Sequence, residues 1–254
     1  MGAEPAAVLS LTAVLGAIVG SFLNVVIHRL PRGASIVSPG SSCPACAAPI
    51  APFDNVPVLS WLALKARCRR CGDRISARYP LVELVTAVTF AAVVAARGLS
   101  DDLIVLLPFA AVLIAVAAID LDERIVPNRI LAPAAGWAIA GALLLRRQEL
   151  VELVAAGAAA FAALLAAALV RPQGMGMGDV KLAGVMGLFL GTAVVPALLV
   201  AFLSGSAVGL GMIAREGASA RKRAVPFAPF LALGGLVGVI AGPELIDLYV
   251  ERFL

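Results

Sequence analysis

The sequence predicts an all-α polytopic membrane protein of about eight transmembrane helices, with a cytoplasmic zinc-binding loop between helices 1 and 2. Three observations carry this fold class. The chain is 61% hydrophobic and only 14% charged, where a soluble domain is roughly half apolar and roughly a quarter charged. Its apolar residues form long Ala/Val/Leu/Gly runs, the pattern of helices immersed in lipid. Its basic residues gather in alternate gaps between those runs, the pattern of membrane topology.

The apolar runs cover residues 8–27, 81–96, 103–119, 130–145, 150–170, 180–191, 192–214 and 227–241. A bilayer core takes about 20 helical residues, so the shorter runs draw in their flanks. The stretch 180–214 is too long for one crossing, and Gly191-Thr192 with Pro196 predicts a tight turn that splits it. The first run follows Glu4 with no Lys or Arg before it, so the basic region of a signal peptide is missing and a transmembrane helix is expected. The organisation that follows is a first helix at 1–28, a four-cysteine loop at 29–80, and a transmembrane core of about seven helices at 81–254.

Of the 20 Lys and Arg residues, 16 fall in the loops 29–79, 120–129, 171–181 and 215–223, and Arg97, Arg146, Arg147 and Arg252 fall in the others. The positive-inside rule makes the first set cytoplasmic and both termini external. The run Arg221-Lys222-Arg223 reads as a topology anchor within that set. A formal charge of +4 so distributed excludes nucleic acid as the partner and makes the bilayer itself the partner of the basic loops.

All four cysteines lie in the first cytoplasmic loop, as Cys43-Pro-Ala-Cys46 and Cys68-Arg-Arg-Cys71. Two such pairs separated by 21 residues suit one tetrahedral Zn²⁺ held by four thiolates. Disulfides are disfavoured in a reducing cytosolic loop. Four protein ligands leave no open coordination position, so the expected zinc is structural.

Two acidic residues stand out at the membrane boundary, where charge is costly. Asp120 ends the third run in Ala-Ile-Asp-Leu-Asp, and Asp179 opens the sixth in Gly174-Met-Gly176-Met-Gly178-Asp179-Val-Lys. Both are expected at the cytoplasmic face. Two carboxylates that share a water are the minimum for aspartic proteolysis: one takes a proton from water while the other polarises the peptide carbonyl. Gly176 and Gly178 let substrate or backbone approach closely, because no Cβ intervenes. Asp101, Asp102, Asp122 and Glu123 read as interfacial caps.

In this order the motifs resemble one family. Gly20-Ser-Phe-Leu-Asn24-Val-Val-Ile-His28-Arg-Leu-Pro31, the two Cys pairs, Arg78-Tyr-Pro-Leu-Val-Glu83-Leu, Asp120 seven residues before Pro127, the Gly-x-Gly-Asp179 segment and Pro226-Phe-Ala-Pro229-Phe are similar to bacterial type IV prepilin peptidases over nearly the whole chain. The resemblance implies an intramembrane aspartic endopeptidase of the inner membrane, with Asp120 and Asp179 as its catalytic pair. It implies prepilins or pseudopilins of pilus and secretion systems as substrates. It also implies methylation of the new N-terminus with S-adenosylmethionine, whose site no dinucleotide-type glycine fingerprint marks. Two positions depart from many relatives, Asn128 for Asp and Ala228 for Gly, and neither removes a proposed catalytic carboxylate. Glu83 pairs with Arg78 or serves methyl transfer, and both readings stand at this stage. Lys181, two residues after Asp179, points away from it on a regular helix. The rival classes are a proton- or cation-coupled transporter using the Asp pair, and an assembly factor whose zinc loop docks a partner.

Overall fold

The computed structural model describes residues 3–171, 175–217 and 225–253. Gly174 and the basic run Arg221-Lys222-Arg223 lie outside the described residues. The described chain is helical, with two isolated β-bridges and no strand. It divides into two compact units, Met1–Gly98 and Leu99–Leu254.

The first unit contains α1 (Ala3–Arg29), the short α2 (Leu59–Ala63) and α3 (Arg78–Arg97). Helices α1 and α3 run antiparallel: Gly16 meets Ala87, Gly20 meets Glu83, and Asn24 donates its side-chain amide to the Tyr79 carbonyl at 3.1 Å. A Cβ on Gly20 would come within 2.6 Å of the Glu83 Cα, so the close crossing depends on glycine there. The opposite face of α1 presents Leu11, Val14, Leu15, Ile18 and Phe22, exposed at helical spacing as a lipid-facing stripe requires.

The second unit contains α4 (Leu103–Glu123), α5 (Asn128–Leu145), α6 (Leu150–Val170), α7 (Met177–Leu190), α8 (Val194–Glu216) and α9 (Ala228–Phe253). Seven helical stretches of the described chain are long and apolar enough to cross a membrane, with Met177–Glu216 taken as one stretch. That stretch breaks where the sequence predicts. A 3₁₀ turn occupies Gly191–Ala193, and Gly191 has φ 57°, a left-handed value that glycine adopts without strain. The chain reverses there. Along α9, Gly235 lies against Met186 and Gly238 against Leu190, so α7 and α9 run in the same direction. Gly234 packs on Ala197 and Ala201 while Gly242 meets Ala193, so α8 runs back the other way. The α7 helix of 14 residues is only about 21 Å long, shorter than the hydrocarbon core of about 30 Å.

Helices α6 and α7 pack through small residues. A Cβ on Gly187 would lie 2.6 Å from the Gly157 Cα, and Gly184 faces Phe161. The interior of the unit is a stack of Phe109 on Phe189 (centroids 4.1 Å apart) with Leu113, Ile119, Leu182, Met186 and Leu231 fully buried beside it. At the C-terminal end of α7, the Arg146 Nη1 donates to the Phe189 carbonyl at 3.3 Å, and its Nε stands 3.0 Å from the Asp102 carboxylate. The α4, α5 and α7 ends are thereby tied together, at the opposite end of α7 from Asp179.

Candidate active site and metal centre

Asp120 lies one turn from the end of α4, which stops at Arg124 in the left-handed conformation with its N–H on the Asp120 carbonyl. The side chain of Asp120 is buried at 5% exposure. Its Oδ2 accepts the N–H of Ala228, the first residue of α9, at 3.1 Å. That amide is one of the free donors every helix N-terminus carries, and here it is aimed at a carboxylate 108 residues earlier in the chain.

Asp179 is the third residue of α7 and closes a capping box: its Oδ2 accepts the N–H of Gly176 at 3.2 Å. Its Oδ1 is buried and accepts no hydrogen bond from the described residues, which leaves one carboxylate oxygen able to take a proton or a water. The two carboxylates interact electrostatically with each other. Two chain segments distant in sequence, the last turn of α4 and the first turn of α7, thus bring their acids together within the second unit.

Gly178 is a close-packed position at the start of α7. A Cβ there would lie 2.7 Å from the Val126 Cβ, whereas Gly176 faces the Asp179 carboxylate. Lys181 turns away from Asp179 and donates its Nζ to the Asn128 Oδ1 at 3.1 Å. Asn128 is therefore the hydrogen-bond partner of the lysine beside the site.

In the first unit, the four sulfurs of Cys43, Cys46, Cys68 and Cys71 lie within 4.8 Å of one another. The Cys43 and Cys71 sulfurs are 3.8 Å apart, the separation that two ligands about 2.3 Å from a tetrahedral ion must have. The two knuckles are built alike. Cys43 N–H bonds Ala48 carbonyl at 2.9 Å and Cys68 N–H bonds Asp73 carbonyl at 2.8 Å. Ala47 N–H returns to Cys43 and Gly72 N–H to Cys68, and both of these residues have positive φ, 55° and 74°.

Two thiols of the cluster are shifted in opposite directions. The Cys71 and Arg70 N–H groups bring the Cys68 thiol down to about 6. At Cys71 the Asp73 N–H favours the thiolate, but partial desolvation and the other three thiols push it up to about 12. Four sulfurs this close together are placed to hold a metal ion. Arg69 braces the loop by a two-pronged pair with Asp54 at 2.7 and 2.8 Å, and its guanidinium lies over the Phe53 ring.

Glu83 is buried in the first turns of α3, and its Oε2 accepts the N–H of Val58 at 2.7 Å. Sequence reasoning had no means of pairing Glu83 with that amide, nor Asp120 with Ala228. Both are backbone contacts, to which no side-chain pattern points.

Comparison with known proteins covers both units. Residues 14–97 match the Bacterial Peptidase A24 N-terminal domain, and residues 107–213 match the Type IV leader peptidase family. The chain is 35% identical over 251 residues to the prepilin leader peptidase/N-methyltransferase of Bacillus subtilis (strain 168), covering 97% of this chain and 99% of the relative. It is 34% identical to the protein of the same description from Aeromonas hydrophila, over 96% of this chain and 94% of that one. With the Myxococcus xanthus (strain DK1622) protein it shares 40% identity over 80% of this chain and 63% of the relative. No solved structure matches. Two domain matches and full-length similarity, set on a helical membrane architecture with a buried aspartate pair, establish that this chain belongs to the type IV leader peptidase family.

Proposed function

We propose that the chain is an intramembrane aspartic endopeptidase that removes the leader of type IV prepilins or pseudopilins, and that it methylates the N-terminus so exposed. The observation that carries the proposal is the meeting of Asp120 and Asp179, buried together in the unit that matches the leader peptidase family. In this mechanism one carboxylate takes a proton from the attacking water and the other gives a hydrogen bond to the scissile carbonyl. The Ala228 and Gly176 amides hold one oxygen of each acid, so the remaining oxygens keep their aim during proton transfer. The capped turn before Asp179 and the small residue Gly176 beside its carboxylate leave an extended substrate room to approach, while Gly178 admits the close approach of Val126.

The site works at the cytoplasmic face of the inner membrane, with both termini outside, on the strength of the basic loops. The four thiolates of Cys43, Cys46, Cys68 and Cys71 hold a structural Zn²⁺ that fixes the loop between α1 and α3. S-adenosylmethionine, when bound, supplies a methyl group from its sulfonium to the new amine, leaving a thioether and releasing one proton.

The test is cleavage of a prepilin in membranes by the wild type, Asp120→Ala and Asp179→Ala, with insertion of each verified. The proposal expects trimming by the wild type alone. Normal trimming by both variants would remove the catalytic pair from the mechanism.

A further inference from the structure

The loop between α1 and α3 is polar for most of its length, yet its middle carries no charge. The run Asn55-Val-Pro-Val-Leu-Ser-Trp-Leu-Ala-Leu64 has no ionisable residue, and Lys65, Arg67, Arg69, Arg70, Arg74 and Arg78 follow it. A 3₁₀ turn at Pro52–Asn55 leads into this run, which then forms α2.

One side of α2 is tied to the rest of the loop. The Ser60 hydroxyl donates to the Phe53 carbonyl at 3.0 Å, and the Trp61 Nε1 donates to the Ile75 carbonyl at 3.1 Å. The opposite side is apolar and open. Leu59, Leu62 and Ala63 share it at helical spacing, with Leu59 65% and Leu62 58% exposed and Val56 exposed just before them. Two leucines one turn apart in water expose apolar surface that an apolar partner would remove.

The height of α2 identifies that partner. Its start is pinned by the Val58 N–H, which donates to the Glu83 carboxylate at 2.7 Å. Val58 holds φ 60°, a value that a β-branched residue rarely takes, so the contact is kept against local preference. Glu83 lies five residues into α3, about 7.5 Å along its axis, opposite Gly20 of α1. Its side chain leans back toward the start of the helix. Val58 therefore lies at the level of the first turns of α3. There α3 already turns Leu81, Leu84 and Val85 outward, and Phe22 ends the exposed stripe of α1. The open side of α2 stands at the height where the apolar belt of the two spanning helices begins.

We propose that α2 is an interfacial anchor. Val56, Leu59 and Leu62 enter the acyl region of the leaflet in which α1 ends and α3 begins, and the basic residues from Lys65 onward meet anionic headgroups. The run lies between the two cysteine pairs, so the anchor sets the height of the four-sulfur cluster above the bilayer.

Tryptophan quenching in the full chain tests this, reconstituted in vesicles of phosphatidylcholine and phosphatidylglycerol. The parent is Trp137→Phe, which leaves Trp61 as the remaining tryptophan. Leu62→Trp is added to it and read as the difference from the parent. Gly40→Trp, in open space on the same loop, is the water-facing reference. The tryptophan at 62 should lose emission to lipid brominated in the upper acyl chain and keep it against aqueous acrylamide, the reverse of the reference. Leaving out phosphatidylglycerol should lessen the loss to brominated lipid, and an unchanged loss would overturn the part given to the basic residues. Quenching by acrylamide alone would place the face in water, and resistance to both quenchers would place it under protein. Either result overturns the anchor. Each variant is checked for the parent's unfolding temperature, and if Leu62→Trp does not fold, Leu59→Trp on the same face takes its place.

Discussion

A carboxylate at a membrane boundary does chemistry only if its surroundings fix it in place, and each aspartate of this site is fixed by one backbone amide. Asp179 uses an amide three residues before it, a local contact implied by its position in the first turn after Gly176. Asp120 uses the Ala228 amide, which only the folded chain brings near. The acids themselves were legible in the sequence, because a charge beside an apolar run demands a reason. The amide that holds Asp120 was not, because no side chain identity encodes a backbone donor. Ala228→Pro removes that donor at the first position of α9, where proline is tolerated. We expect α9 to form and precursor cleavage to fall about tenfold, the effect of one lost hydrogen bond to a charged group. Cleavage kinetics in membranes measure it, and an unchanged rate would show that the Ala228 amide does not position Asp120.

The elements divide by how much of their geometry is local. The cysteine spacing announced a four-sulfur cluster, and the sulfurs gather as that spacing requires. The hidden detail is Ala47, which occupies the left-handed conformation that glycine occupies at the matching position, Gly72. Left-handed geometry costs a non-glycine residue about 1–2 kcal/mol. Ala47→Gly should therefore make the loop hold its metal longer against a chelator, by up to about 1 kcal/mol once the added chain entropy of glycine is counted. Cys68→Ser acts in the opposite sense. It should lower bound zinc below one per chain and open the loop to added protease while α1 and α3 stay inserted, as metal analysis and limited proteolysis would record. The helix spans were legible from hydropathy, and the turn at Gly191–Ala193 from its glycine. The parallel course of α7 and α9 was not, since small residues at 235 and 238 permit many packings and only the assembled unit selects one.

At the scale of the whole molecule, we propose that the basic loops orient the chain across the bilayer. Sequence alone carried this reading because a charge imbalance between alternate loops needs no tertiary contact to act. It places Leu99, exposed between α3 and α4, on the outer side. Leu99→Cys should react with a membrane-impermeant thiol reagent added to intact cells, while the native cysteines stay unlabelled until the membrane is opened. Labelling only after permeabilisation would reverse the topology and put the aspartates on the wrong face for a cytoplasmic leader.

The central claim is that Asp120 and Asp179 act as one catalytic unit, and a double-mutant cycle on the cleavage rate tests it most directly. Asp120→Asn and Asp179→Asn each remove a proton-transfer group while keeping shape, and each should cost at least about 10²–10⁴-fold in rate. Because one water and one carbonyl need both acids, the double variant should be scarcely slower than either single one. Losses that multiply in the double variant, or a single variant that cleaves at nearly the wild-type rate, would contradict the account.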